Sequence, residues 1–401
     1  MISDTSNNLI QFESALDKLQ AYIESEHFKG YDPYDTLNSP IPFKYFGKLI
    51  PVLALQFQKR NPLNIRSLLG IKKEHNPKAM GLFLYTYSTL QKNVSDKNYS
   101  KQINFLFDYL KTNYSKNYSG YCWGDNFDWA SSGKYIKANS PNVVVTAFVA
   151  KGIYEYYQLT KSQEALDILE SISAFILTNL PITETENGIC FSYTTLGIDN
   201  CYNASLLAAT VLSQLYSITK KEELKQYAIK AVDYVVSKQH TDGHWNYSID
   251  DNGKERTQID FHQGYVIDCI DDVMKYCSIQ NEKYTEAVKK GAVFYRQEQF
   301  FENGQAKWRL PKIYPIEIHN QSQGIISFAK MIKFNSEYLK FSETIAQWTI
   351  ANMQDKKGFF YYRKLKTYTN KIPFMRWSQA WMFLALTELI VTLKSKNNHG
   401  S

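Results

Sequence analysis

What this sequence lacks removes several classes of protein. Cysteine occurs only five times in 401 residues, at positions 122, 190, 201, 269 and 277. An odd count without CxxC spacing is neither a disulfide framework nor a zinc site; it reads as reduced thiols in a cytoplasmic protein. No run of five or six like charges and no RNA-binding signature occurs, so nucleic acid is not an expected partner. No apolar stretch is long enough to span a bilayer, which takes roughly 18 residues. The opening "MISDTSNNLIQFESALDKL" has neither a basic n-region nor an apolar h-region, so no signal peptide is expected. GxGxxG, GxxxxGK and HExxH are all missing, which takes support from nucleotide-cradle and zincin readings. No cofactor is expected, and no strong metal-ligand cluster appears, which leaves a metal requirement open.

What is present is ordinary in bulk and unusual in detail. The chain is 44% hydrophobic and 21% charged, a globular composition. Aromatics reach 15%, with 30 Tyr and 23 Phe. Tyr and Trp in loops suit stacking on sugar rings. An AT-rich coding sequence, which inflates Lys, Asn, Tyr, Ile and Phe together, is the competing account. The net charge of +7 gives a weak bias toward an acidic polymer or an anionic membrane face.

The strongest signal is internal repetition. Amphipathic helices are predicted at about 97–112, 163–180, 221–239, 282–300 and 336–353. Each leads into a glycine-containing aromatic loop: "YSGYCWGDNFDW", "ENGICFSYTTLG", "TDGHWNYS", "ENGQAKWRL" and "KKGFFYYRK". Each loop feeds a more apolar helix, at 142–159, 202–218, 261–277, 321–334 and 376–393. Anchored on Asn142, Asn203, His262, His319 and Arg376, the period is 57 to 61 residues. Helices at about 8–27, 45–59 and 77–91 add a sixth hairpin and one extra helix. The expected fold is all-α: an (α/α)6 toroid over residues 1–396, with short aromatic β-type loops at one mouth. Residues 1–95 hold the N-terminal hairpin with its extra helix, and 96–396 hold the five repeats. The amphipathic helices form the outer ring and the apolar ones, buried on more sides, the inner ring. An open solenoid of the same hairpins is the competitor.

In a toroid the inner helices run parallel and their N-termini gather at one mouth. Asp128, Asn142, Asn203, Asp260, His262, Glu317, His319, Arg376 and Trp377 are then expected to converge, where free helix N–H groups also favour carboxylates and hydroxyls.

Several stretches carry a family likeness: "GYDPYDTLNSP" (30–40), "NPLNIRSLLGI" (61–71), "NPKAMGLFL" (76–84), "YCWGDNFDW" (121–129), "DFHQGYV" (260–266) and "IPFMRWSQAWM" (372–382). They resemble proteins encoded in bacterial exopolysaccharide, capsule and O-antigen gene clusters. That resemblance runs from about residue 15 to 390. It implies a six-hairpin-glycosidase-like or terpenoid-cyclase-like toroid and a place in polysaccharide biosynthesis, and leaves the reaction open.

The catalytic candidates are Asp260, His262, Glu317, His319, Asp32 and Asp35. Asp260 either caps the helix that begins at 261 or forms an acid/base pair with His262. Glu317 and His319 alternate along "YPIEIHNQ" and share a face if that segment is extended; Glu317 could equally pair with Arg376 or Lys307. Asp32 and Asp35 lie in a proline-bounded loop with Asn38, where turn capping is the alternative. The candidate saccharide-binding residues are Trp123, Asp125, Asp128, Trp129, Asn142, Asn203, Trp245, Tyr265, Arg376, Trp377 and Gln379. Arg376 suits an acidic sugar or a lipid-linked diphosphate. Asp268, Asp271 and Asp272 lie too deep in their helix, at the wrong spacing, for a diphosphate site.

The expected role is carbohydrate chemistry during surface-polysaccharide assembly, on a polysaccharide or lipid-linked oligosaccharide. Peripheral association with the assembly machinery is also expected. Glycoside hydrolysis needs two opposed carboxylates; Asp260 or Glu317 facing Asp32, Asp35 or Asp128 could supply them, and because paired acids outnumber basic groups hydrolysis is the expected reaction, with lyase or epimerase chemistry second. Lyase or epimerase chemistry needs a His or Tyr base and a cation such as Arg376. A non-catalytic saccharide-binding scaffold, and a terpenoid-cyclase-like enzyme acting on a polyprenyl diphosphate, are the remaining classes.

Overall fold

The computed structural model describes residues 2–94, 97–131, 134–250 and 252–399. Thirteen α-helices appear among them: α1 (Ile2–Ser25), α2 (Leu49–Arg60), α3 (Pro77–Asn93), α4 (Ser100–Thr112), α5 (Val143–Thr160), α6 (Gln163–Asn179), α7 (Tyr202–Thr219), α8 (Glu222–Val236), α9 (His262–Tyr276), α10 (Glu282–Gln299), α11 (Ile318–Lys330), α12 (Glu337–Met353) and α13 (Ala380–His399). α3, α5, α7, α9, α11 and α13 pack neighbour to neighbour as the inner ring. The ring closes, because α13 packs on α3 as well as on α11. α1 packs against α12 and α13 and completes the outer ring of α4, α6, α8, α10 and α12. α2 is the extra helix.

Residue pattern explains the two rings. α4 buries only Ile103, Leu106, Phe107 and Leu110, the i, i+3, i+4, i+7 stripe of a helix with one covered face. α7 buries everything from Tyr202 to Tyr216, as a helix packed on all sides must. Asn76 and Asn142 accept N–H bonds from the first turns of α3 and α5, and Pro77 stands at the first helical position of α3. Lys161 and Lys220 take left-handed backbone at the ends of α5 and α7, turning the chain into the next outer helix within a few residues. Small residues set one spacing in the ring: a Cβ on Gly152 would lie 2.3 Å from the Gly81 carbonyl oxygen, so α3 and α5 approach closely there.

A polar side chain recurs with the repeat and ties each aromatic loop to its inner helix. The loop N–H groups of Trp123, Phe191, Trp245, Ala306 and Phe360 donate to Thr146, Ser205, Gln263, Gln321 and Gln379 respectively. These partners are spaced like the repeat itself, and each is buried. Burial demands that such groups be paired, so the clamp fixes every loop at the same depth. Neighbouring loops then join in short strands: 200–201 with 248–249 and 255–256, and 316–317 with 363–364 and 369–370. One continuous core cluster runs from Phe12 to Leu393. Among the described residues no helix is long and apolar enough to cross a membrane.

Candidate active site

The first turns of the inner helices carry the side chains that meet at the centre. The Phe261 ring, at the entrance to α9, stacks on His262 at 4.1 Å and on His319 of α11 at 4.2 Å. His319 also lies against Trp377 at 4.8 Å and Trp381 of α13 at 4.5 Å. Tyr265 of α9 packs on Trp381, and so does Phe148 of α5. The Lys78 ammonium of α3 sits over Phe148 at 4.4 Å and over Trp381 at 5.2 Å. Five of the six inner helices thus contribute to one aromatic-walled cluster.

Asp260 and His262 form a pair. His262 Nδ1 lies 2.5 Å from Asp260 Oδ1, while Asp260 Oδ2 accepts from Gln258 at 2.9 Å and faces Arg309 Nε at 3.4 Å. Burial pushes the Asp260 carboxyl up, but the His262 imidazole and the Arg309 guanidinium outweigh it and hold the acid below its ordinary value. The carboxylate also accepts the His262 N–H at 3.3 Å, so pairing and turn capping coexist. With Nδ1 held by an anion, the imidazole presents Nε2 as its basic nitrogen.

His319 is wholly enclosed. Burial pushes its pKa well down, helped by Lys78, His262 and Arg376, so the ring is neutral. Its Nε2 meets the Tyr265 hydroxyl at 2.6 Å, and its Nδ1 has no partner among the described residues. Tyr265 holds its proton tightly because it is buried. A phenol donating to Nε2 would leave the hydrogen on Nδ1, as a donor without a partner among the described residues.

Lys78 has no carboxylate partner among the described residues. Burial and the nearby Arg376 charge lower its amine from 10.5 to about 7. A cation in the first turn of a helix is disfavoured by the helix dipole, so its place there costs stability. That oddity, visible in "NPKAMG", is the signal by which this residue could have been found.

The other predicted acids are tied down. Asp32 is held by Arg376 through two bonds, at 2.6 and 2.8 Å. Asp35 accepts from Arg66 at 2.7 Å and from the Asp32 N–H at 2.8 Å, while burial raises it to about 6. Glu317 accepts from Arg363 at 2.8 Å and from the Trp377 indole at 2.7 Å. None of the three is a free acid facing another across a cleft; each is the buried half of an ion pair. The partner of Glu317 is Arg363, not Arg376 or Lys307.

The predicted saccharide platform also needs correction. Trp123 and Trp245 are 0% exposed and donate to the Leu110 and Val235 carbonyls, so they belong to the wall. Gln379 serves as a loop clamp, Asn142 as a helix cap, and Asn203 is buried as an acceptor for the Cys201 thiol. Asp128 holds the Tyr135 hydroxyl and the Ala138 N–H. Asp125 remains at the mouth, 3.7 Å from Arg376 Nε and bonded to Asn76 at 3.2 Å. Trp129 stays partly exposed on a two-residue strand beside it. Tyr265, Arg376 and Trp377 do reach the central cluster. Lys78, Phe261, Trp381 and Arg309 reach it or its edge without having been predicted.

The segment from Gly30 to Asn76 overhangs this mouth. Tyr34 stacks on Phe127 and meets Trp377 edge-on, and beside Asp32, Asp35 and Arg376 the open space shrinks to about 10 Å³. A roomier cavity of about 510 Å³ lies elsewhere, between α1 and the Lys357–Phe359 loop. Its lining includes Tyr22, Glu26, Tyr31 and Lys73 and no imidazole. No group of three or more His, Cys, Asp or Glu able to hold a metal ion occurs among the described residues.

No protein-family model matches the chain, and no curated protein matches it. Solved structures do. The chain is similar to cellobiose 2-epimerase from Bacillus thermoamylovorans at 19% identity and TM-score 0.63, covering 79% of this chain and 87% of that one. It is similar to a sugar epimerase from a ruminal bacterium at 13% identity and TM-score 0.66, covering 80% and 90%. It is likewise similar to a GH76 α-mannanase from Bacteroides thetaiotaomicron at 16% identity and TM-score 0.61, covering 81% and 88%. At these identities the likeness establishes the six-hairpin toroid.

Proposed function

We propose that this chain is a carbohydrate-active enzyme that moves a proton at a carbon beside a sugar carbonyl, as an epimerase or isomerase does. The observation that carries this reading is the Asp260–His262 pair, whose Nε2 is free while every other predicted mouth acid except Asp125 is bound to an arginine, an indole or a tyrosine. His262 Nε2 takes the proton. The charge that develops on the carbonyl oxygen is met by the Nδ1 hydrogen of neutral His319 and by Lys78 and Arg376. A positioned base is worth about 10²–10⁴-fold in rate. The aromatic walls supply faces for a sugar ring. Two of the similar structures are described as epimerases, which agrees with this chemistry.

Hydrolysis is the second reading, favoured by the similarity to a mannanase. It requires two free opposed carboxylates, and only Asp125 approaches that condition. The source organism's surface polysaccharide or its lipid-linked precursors are the proposed substrates, in keeping with the family likeness of the sequence. The test is product analysis by NMR and mass spectrometry on those saccharides and on reducing sugars such as cellobiose and mannose, with an Asp260→Asn control. An isomer of unchanged mass supports the proposal. Shorter fragments that have each gained a water establish the hydrolase instead.

A further inference from the structure

The segment over the mouth carries a surface that the chemistry does not use. Among the described residues, nine of the nineteen exposed large hydrophobic ones lie between 41 and 68: Ile41, Tyr45, Phe46, Leu49, Ile50, Leu53, Phe57, Leu63 and Leu68. Their exposure reaches 77% at Tyr45 and 84% at Leu68. Helix α2 carries apolar side chains on both its inner and its outer face. Its inner face buries Pro51, Leu55 and Gln58, and the Gln58 amide has no hydrogen-bond partner. Its outer face turns Leu49, Leu53 and Phe57, one residue every four, toward solvent as a ridge.

Charge has the same address. From Thr36 to Lys73 there is no Asp or Glu, and there are seven cations: Lys44, Lys48, Lys59, Arg60, Arg66, Lys72 and Lys73. That equals the net charge of the whole chain, +7, so the remainder is neutral overall. Arg66 is spent internally on Asp35, and Lys73 meets Glu26. Lys44, Lys48, Arg60 and Lys72 are exposed and have no carboxylate partner among the described residues.

We infer that this face docks on an anionic lipid bilayer, with α2 lying in the interface. An apolar ridge bordered by lysine and arginine, with aromatic residues at its edge, is the composition of helices that lie in a headgroup layer. A hydrated acidic polysaccharide would satisfy the cations and leave the ridge wet. A second copy of the chain would cover the ridge and set the same cations against each other. Tyr34 accepts a bond from Lys59 of α2 while packing on Trp377, so docking brings the mouth to the bilayer surface. A saccharide carried on a lipid would be met there; that corollary rests on the proposed function, whereas the docking does not.

Co-sedimentation with phosphatidylcholine vesicles, with and without phosphatidylglycerol, tests the inference directly. Binding is expected only with phosphatidylglycerol, weakening as salt rises. Leu53→Glu with Phe57→Glu should lower it about tenfold or more, because both the apolar burial and the attraction are lost. Circular dichroism and the thermal midpoint should not move, since both side chains already face water. Analytical ultracentrifugation runs alongside. Absent binding to anionic vesicles, equal binding by the double variant, or a dimer that the double variant abolishes would each overturn the inference. Turnover of a water-soluble sugar is read separately, so failure of docking and failure of the proposed chemistry cannot be confused.

Discussion

Helix α9 uses one residue type in two ways along its length. At its entrance Asp260 faces His262. Along its body Asp268, Asp271 and Asp272 are all buried. Asp272 lies between Lys330 at 2.9 Å and Lys151 at 3.5 Å, and Asp271 meets Lys333. Asp268 accepts from Gln323 and Ser327 through one oxygen, and burial lifts it to about 7, so it need not carry charge at neutral pH. A carboxylate answered by fixed cations holds the structure together. A carboxylate answered by an imidazole whose second nitrogen is free prepares a base. The entrance leaves one ring nitrogen open, whereas in the body Asp271 and Asp272 are answered by lysines and Asp268 by Gln323 and Ser327.

The largest expected effect breaks the entrance. Asp260→Asn or His262→Ala should lower turnover by about 10²–10⁴-fold while leaving the thermal midpoint within a few degrees. Enzyme kinetics beside a melting curve checks it; a large loss of folding with intact specific activity would return the pair to capping alone. Next, Lys330→Met breaks the body. It leaves buried Asp272 with Lys151 only, and should cost about 3 kcal/mol, the lower end for a severed buried pair because Lys330 keeps some exposure. Urea unfolding measures this, and activity per folded molecule should hold.

Lys78 sharpens the contrast, since function and stability pull in opposite directions there. Its folded amine lies near 7 against 10.5 unfolded, so the unfolded chain binds the extra proton between those values. Stability attributable to Lys78 thus rises with pH across that window, and the penalty is fully present below it. Lys78→Met should raise the thermal midpoint at pH 6 by several degrees, lose most of that advantage by pH 10, and reduce turnover at least about tenfold. The smallest effect marks the surface: Lys221→Ala breaks an exposed pair with Glu170 and should change stability by about 0–1 kcal/mol in a urea titration.

The fold was legible because each helix announces itself locally. The stripe in α4, the apolar run of α5 and the glycine loops recur at a near-constant interval, and six hairpins suffice to close a ring. The site was legible only in part. That Asp260 and His262 form a pair follows from two residues and a helix start. That Asp32 belongs to Arg376 depends on ring closure across 344 positions, which no local pattern contains. Trp123 and Trp245 look like sugar platforms in "YCWGDNF" and "DGHWNY" because the loops are exposed in outline. Their indoles are nevertheless drawn inward by a carbonyl of the preceding outer helix. A lone lysine in a first turn, such as Lys78, reads as surface until the ring is assembled around it.

The central claim is that the Asp260–His262 pair exchanges a proton on a sugar. It is tested most directly by incubating enzyme and saccharide in deuterium oxide and following the recovered sugar by mass spectrometry and NMR. One deuterium is expected at the carbon beside the carbonyl, with no water gained, and no incorporation with Asp260→Asn. Cleaved products without deuterium on carbon would contradict it.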